Sequence, residues 1–165
     1  PPQSKEVHFE AELAVVIGTR AFRVTEEEAL GHVFGWSVYN EGSVRDWQRH
    51  SGQWIPGKIF YRSGAFGPAI VTAGSVDDIG ASRLQTRVNG EVRQDALIKD
   101  MVFSVAELIA YCSTFTPLEP GDVIAAGTPG GVGLFWDPPK LLSDGDVVEI
   151  EIDGVGLLRN TVRQA

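Results

Sequence analysis

The sequence predicts a mixed, β-rich α+β fold, a mixed sheet or barrel-like roll with a few short helices. About seven short segments either alternate apolar and polar residues or run apolar, and Gly, Pro, Asn or Asp bounds them. Only two stretches carry helix-capping boxes, Thr25 with Glu28 and Ser104 with Glu107. Asn89-Gly90 and Asp153-Gly154 are tight-turn signals between strand-like runs. At 165 residues, with 43% hydrophobic and 22% charged, residues 1–165 read as one domain of ordinary globular composition.

Residues 7–17, Val-His-Phe-Glu-Ala-Glu-Leu-Ala-Val-Val-Ile, alternate and then run apolar, which predicts a strand that becomes fully buried and ends at Gly18. Period two puts Phe9, Ala11 and Leu13 on one face. It puts Glu10 and Glu12 on the other, with Cα atoms roughly 6.5 to 7 Å apart. Carboxylates that close raise each other's pKa unless a cation lies between them. Such a pair is by itself an ordinary solvated strand face, and His8 sits at the strand's frayed start.

Residues 25–33 predict a short helix with acids in its first turn, and His32 in it reads as packing. Residues 33–38 predict a strand that delivers the polar stretch 39–58, where two acids, three cations, His50 and two tryptophans crowd together. A loop that only reversed the chain would have no use for arginines and indoles. Ser43 is placed to cap a turn through Arg45, Asp46 and Gln48, which would set Arg45 and Gln48 on one helical face.

Ala69-Ile70-Val71 follows Gly-Pro punctuation as a short strand, and residues 84–94 form a hairpin around Asn89-Gly90. Residues 104–115 predict an amphipathic helix burying Val105, Leu108, Ile109 and Cys112. Leu118-Glu119-Pro120-Gly121-Asp122 stops that helix and leads into a strand over 123–126. The turn Gly127-Thr128-Pro129-Gly130-Gly131-Val132-Gly133 then offers backbone N–H groups and a hydroxyl to an anion. It lacks the lysine of a phosphate loop and the spacing of a dinucleotide fingerprint. Strands over 147–152 and 155–162 close the chain.

A formal net charge of −8 argues against nucleic acid and against an anionic membrane surface. The single cysteine, Cys112, excludes an internal disulfide and suits a reducing compartment. With no apolar run of membrane-spanning length and no secretory leader, the expectation is a soluble, cytoplasmic protein. Glu10, Glu12 and Glu41, with a lysine and a glycine-rich turn, suggest a hard-cation site. Carboxylates without His or Cys select Mg²⁺, Mn²⁺ or Ca²⁺ over zinc. A glycosidase also pairs two acids, but it needs them on opposite sides of a sugar, and Glu10 and Glu12 share a face.

Five motifs in chain order resemble the fumarylacetoacetate hydrolase family over nearly the whole sequence. They are Phe9-Glu10-Ala11-Glu12-Leu13-Ala14-Val15-Val16-Ile17-Gly18, Asn40-Glu41-Gly42-Ser43-Val44-Arg45-Asp46-Trp47-Gln48, Gln53-Trp54 with Gly57-Lys58, Pro120-Gly121-Asp122-Val123-Ile124, and the turn 127–133. The resemblance implies a β-roll catalytic domain, usually a homodimer, that binds Mg²⁺ or Mn²⁺ and acts on a small 2-oxo acid. It places Glu10, Glu12 and Glu41 as metal ligands and Lys58 as the active-site lysine. Arg45 and Gln48 fall on the substrate-contacting pair, and Thr128 on the threonine that holds the substrate carboxylate, with Gly127 and Gly130 beside it.

Two departures accompany it. The third ligand is usually Asp, and Glu41 is one methylene longer. Hydrolytic members carry a water-activating His–Glu pair before the Glu-x-Glu strand, and this sequence, opening on Pro1-Pro2, starts after that point. The expectation is a longer working enzyme whose mobile N-terminal segment closes over the site, with neither His8 nor His50 as general base.

The leading expected activity is metal-dependent hydrolysis of a C–C bond in an acylpyruvate-type or 2,4-dioxo acid, resembling fumarylpyruvate, fumarylacetoacetate or a diketo-deoxy sugar acid. Lys58 would stabilise the oxyanion. The alternative is decarboxylation or keto–enol isomerisation of a 2-oxo or 2-hydroxymuconate-type acid, oxaloacetate included. A reading of another class is a non-catalytic, metal-stabilised binding module.

Overall fold

In the computed structural model, which describes residues 1–164, the strand expected over 7–17 is divided in two. β1 (Val7–His8) pairs with a second dipeptide strand, and β2 (Ala11–Ile17) enters a sheet, with Phe9 and Glu10 between them. In chain order there follow α1 (Glu26–Ala29), β3 (Val33–Asn40), β4 (Ser43–Val44), α2 (Arg45–Gln48) and β5 (Ala65–Thr72). Then come β6 (Arg83–Val88), β7 (Glu91–Leu97), α3 (Val105–Phe115), β8 (Val123–Ala125), β9 (Val147–Ile152) and β10 (Gly156–Thr161). Short 3-10 turns join them. Among the described residues there are ten strands, more than the seven or so expected, two of the additions arising because the first strand divides and β4 forms opposite β1.

Two antiparallel four-stranded sheets carry the fold, one ordered β5-β3-β2-β8 and the other β10-β9-β6-β7. All seven residues of β2 are buried, which explains why its sequence stops alternating: a central strand covered on both faces reads as an apolar run. Strand β9 keeps its alternation, with Val148, Ile150 and Ile152 inward. These side chains join Leu84 and Val88 of β6, Leu13, Val15 and Ile17 of β2, and Ile109 of α3 in one core. Thr86 and Gln94, directly opposite each other on β6 and β7, are the polar pair buried among them.

The hairpin at Asn89-Gly90 and the helix box at Ser104 form as expected. The Ser104 hydroxyl accepts from Glu107 N at 3.2 Å, and the Glu107 carboxylate accepts from Ser104 N at 2.6 Å. Val105 and Ile109 are buried, Leu108 and Cys112 only half-buried, and Ser113 takes the remaining inward position. Among the described residues, no helix is long and apolar enough to cross a membrane.

Two local expectations are corrected. Ser43 does not cap α2, whose N-cap is Val44; it lies in β4 and donates its hydroxyl to Glu10 Oε1 at 2.8 Å. A buried carboxylate is a stronger acceptor to satisfy than a four-residue helix is a donor array. His8 is not frayed but fully buried, because β1 pairs with β4 and Gly133 packs against its ring.

Candidate metal centre

The antiparallel register of β2 and β3 pairs Ala11 with Asn40, and the ladder continues where Glu41 N donates to the Glu10 carbonyl at 2.9 Å. That continuation brings the ends of two strands together. Glu10, Glu12 and Glu41 each offer a carboxylate oxygen, and the three atoms lie within 4.8 Å of one another. The extra methylene of Glu41 still lets its carboxylate meet the other two with the backbone pinned to Glu10. Glu10 is 6% and Glu12 3% exposed, so two of the three carboxylates are withdrawn from water.

Lys58 Nζ donates to Glu10 Oε2 at 2.9 Å and to Glu41 Oε2 at 2.7 Å. Its aim depends on Gly57, which ends the 3-10 turn before it: a Cβ there would stand 2.7 Å from Gln48 Cα. Only glycine lets that turn close on α2. Arg45, itself buried, places one guanidinium nitrogen 2.5 Å from Glu10 Oε1 and donates from another to Gln48 Oε1 at 2.9 Å. The expected Arg45–Gln48 pair is therefore formed, with the guanidinium serving Glu10 and the Gln48 amide nitrogen left as a donor.

The glycine-rich turn meets the acids at one point, where Gly127 N donates to Glu12 Oε2 at 2.9 Å. Gly127, Thr128, Pro129 and Gly130 also edge a cavity of about 520 Å³ that Leu13 and Met101 help to line. None of the three glutamates lines it.

The charges are unequally matched. Burial alone would raise the Glu10 carboxyl, but the Lys58 hydrogen bond, the Arg45 and Lys58 charges and the Ser43 bond outweigh it and hold it below the usual range. Glu12 goes the other way. Burial pushes it up to about 7, against the Gly127 bond and with the help of Glu41 and Glu10. Glu12 is thus a buried carboxylate with an N–H partner but no cation in contact, beside two others. That donor set, all hard oxygen, fits a divalent cation of the Mg²⁺ or Mn²⁺ type. His8 is lowered to about 4, by burial first and then by the Arg45 charge. His50 lies against Trp47 with the rings tilted by 41° and their centroids 4.6 Å apart.

Sequence reasoning missed Gln94, whose side-chain amide ties β7 to both β2 and the glycine-rich turn. The signal was there in the hairpin register, which puts Gln94 opposite Thr86 on the face that Leu84 and Val88 share.

A model of the fumarylacetoacetate hydrolase C-terminal domain matches residues 1–163. The chain belongs to the fumarylacetoacetate hydrolase family. A mitochondrial oxaloacetate tautomerase of Bos taurus is 46% identical over 164 residues, covering 98% of this chain and 52% of the relative. The chain therefore spans about half the length of the curated relatives it matches. Among solved structures, a fumarylacetoacetate hydrolase from Exiguobacterium antarcticum superposes with a TM-score of 0.96 at 41% identity, over 99% of this chain and 59% of that one. A fumarylpyruvate hydrolase from Pseudomonas aeruginosa, in complex with Mn²⁺ and pyruvate, gives 0.90 at 34% identity, over all of this chain and 69% of that one. The mixed, sheet-rich architecture is that of the family.

Proposed function

We propose that this family member interconverts the keto and enol forms of a small 2-oxo diacid of the oxaloacetate kind, with C–C bond hydrolysis of an acylpyruvate as the second reading. The observation that carries it is the ammonium of Lys58 held between Glu10 and Glu41, beside Glu12. Tautomerisation demands stabilisation of an enolate and transfer of a proton, and it needs no attacking water. The name of the Bos taurus relative supports the same choice.

In this reading Glu10, Glu12 and Glu41 would hold Mg²⁺ or Mn²⁺. When bound, such an ion supplies Lewis-acid polarisation of the 2-oxo group. Thr128, through its hydroxyl and its backbone N–H, and the Gly130 N–H hold the substrate carboxylate, since Pro129 has no N–H and that of Gly127 is given to Glu12, and the Gln48 amide nitrogen orients the other end. In this reading Lys58 Nζ, held by Glu10 and Glu41, would face the C2 oxygen as it becomes negative. It gives that oxygen a proton as C3 loses one to solvent, and regains its own from solvent. Acylpyruvate hydrolysis would also need a base beside a water, and His8 is sealed in the core. A homodimer belongs to the same proposal, and light scattering tests it.

The experiment follows the ultraviolet decay of enol oxaloacetate with Mn²⁺ present, beside cleavage of an acylpyruvate. Tautomerisation is expected to be the faster reaction, and Lys58→Met to slow it about 10²-fold to 10³-fold. Acylpyruvate cleavage without any effect on the enol would reverse the order of the two readings. Neither reaction, with Mn²⁺ bound, would leave a binding module.

A further inference from the structure

Gln94 is 1% exposed and joins three segments through its side-chain amide. Its Oε1 accepts from the backbone N–H of Ala11 at 3.3 Å, between Glu10 and Glu12, and from the Thr86 hydroxyl at 2.9 Å. Its Nε2 donates to Thr128 Oγ1 at 2.8 Å and to the Pro129 carbonyl at 2.9 Å. The two ends of a glutamine amide are alike in shape and are told apart by their partners. Here a backbone N–H can only donate and a backbone carbonyl can only accept, so Ala11 and Pro129 together decide which end is which.

That assignment constrains Thr128. Because Nε2 donates to it, Oγ1 is already an acceptor, and its own hydrogen cannot point back along the same bond. Among the described residues no protein acceptor takes that hydrogen, and Thr128 is half-exposed on the turn. The backbone of the turn is itself held in place. Gly131, at φ +103°, lies so close to the Arg93 carbonyl that a Cβ would stand 2.1 Å from its oxygen. Trp136 Nε1 also donates to the Gly131 carbonyl at 3.2 Å.

The geometry points to Gln94 as a positioning residue that presents the Thr128 hydroxyl as a hydrogen-bond donor to a bound carboxylate, in fixed relation to the strand carrying Glu12. This rests on the proposed function, which assigns Thr128 to the substrate carboxylate. Gln94 touches no substrate; it acts by donating to one lone pair of the hydroxyl, which turns the O–H away from Gln94 and toward the ligand.

The test is a double-mutant cycle read by calorimetry of pyruvate binding to the Mn²⁺-loaded protein, with Gln94→Met, Thr128→Val and both together. Each single change is expected to weaken pyruvate binding about tenfold, the size of one charge-assisted hydrogen bond, and the double variant no more than Thr128→Val alone. The Mn²⁺ dissociation constant is expected to stay within about threefold of the parent's, since no carboxylate is altered. If Gln94→Met does not fold, Gln94→Glu keeps an acceptor opposite Ala11 N–H and reverses the bond to Thr128, and the same cycle is run with it. An equal loss in both Thr128 backgrounds, or no loss at all, overturns the inference and leaves the proposed function standing. Unchanged pyruvate affinity in Thr128→Val overturns the assignment of Thr128 and the inference with it.

Discussion

Among single residues, Glu12 and His8 pull stability in opposite directions. The Glu12 carboxyl is raised from 4.5 to about 7 in the metal-free fold, so its contribution is fully present below pH 4.5 and is lost as pH rises through about 7. The loss is of order 3 kcal/mol. His8 is lowered from 6.5 to about 4, so its contribution is present above pH 6.5 and is lost as pH falls through about 4. Between about 4.5 and 6.5 the two slopes oppose each other. Glu12→Gln is expected to remove one of them, so that urea unfolding without divalent ions shows stability rising with pH across this window where the parent is nearly level. The same variant is expected to lose Mn²⁺ binding by calorimetry. An unchanged stability profile together with unchanged Mn²⁺ affinity would refute both the burial argument and the ligand assignment.

Among elements, what aims the lysine is the seat of one short turn on another. Residues 55–57 close on α2 because Gly57 has no side chain, and Lys58 leaves that turn directly toward Glu10 and Glu41. Gly57→Ala is expected to push the turn off Gln48 while leaving Lys58 in the chain. A displacement of about 1 Å at a reacting group can cost about 10²-fold in rate. The variant should therefore reproduce much of the turnover loss of Lys58→Met. Turnover at the parent rate would show that the lysine finds its place without this packing. The hairpin at Asn89-Gly90 and the capped helix α3 were legible in the sequence because their signals lie within a few residues of one another. Ser43 was not: a hydroxyl before a short helix looks like a cap, and only the pairing of β1 with β4 carries it to Glu10.

At the scale of the molecule, the candidate cation site lies where one sheet, a polar loop and a glycine-rich turn meet, so an ion bound there is expected to stabilise the whole fold. Mn²⁺ at about 100 times its dissociation constant should add about 2.7 kcal/mol, read as a higher unfolding midpoint that EDTA reverses. A midpoint indifferent to Mn²⁺ at any concentration would mean that the folded protein does not bind it.

The sequence by itself determined the β-rich class, the strands that alternate, both capping boxes and the family's motifs with their three carboxylates and lysine. These follow from periodicity and from neighbours a few positions apart, which are properties of the local chain. Only the tertiary structure decided that Glu12 would be driven to about 7 while Glu10, two residues away, would be held low. The difference lies in Arg45 and Lys58, which reach Glu10 from 35 and 48 positions along the chain and leave Glu12 to a single N–H from Gly127. Gln94 belongs to the same class, since its bond to Ala11 N spans 83 positions. Strand register and sheet packing bring such groups together, and a pKa or a hydroxyl's orientation is set by what surrounds the group in space rather than by what precedes it in the chain.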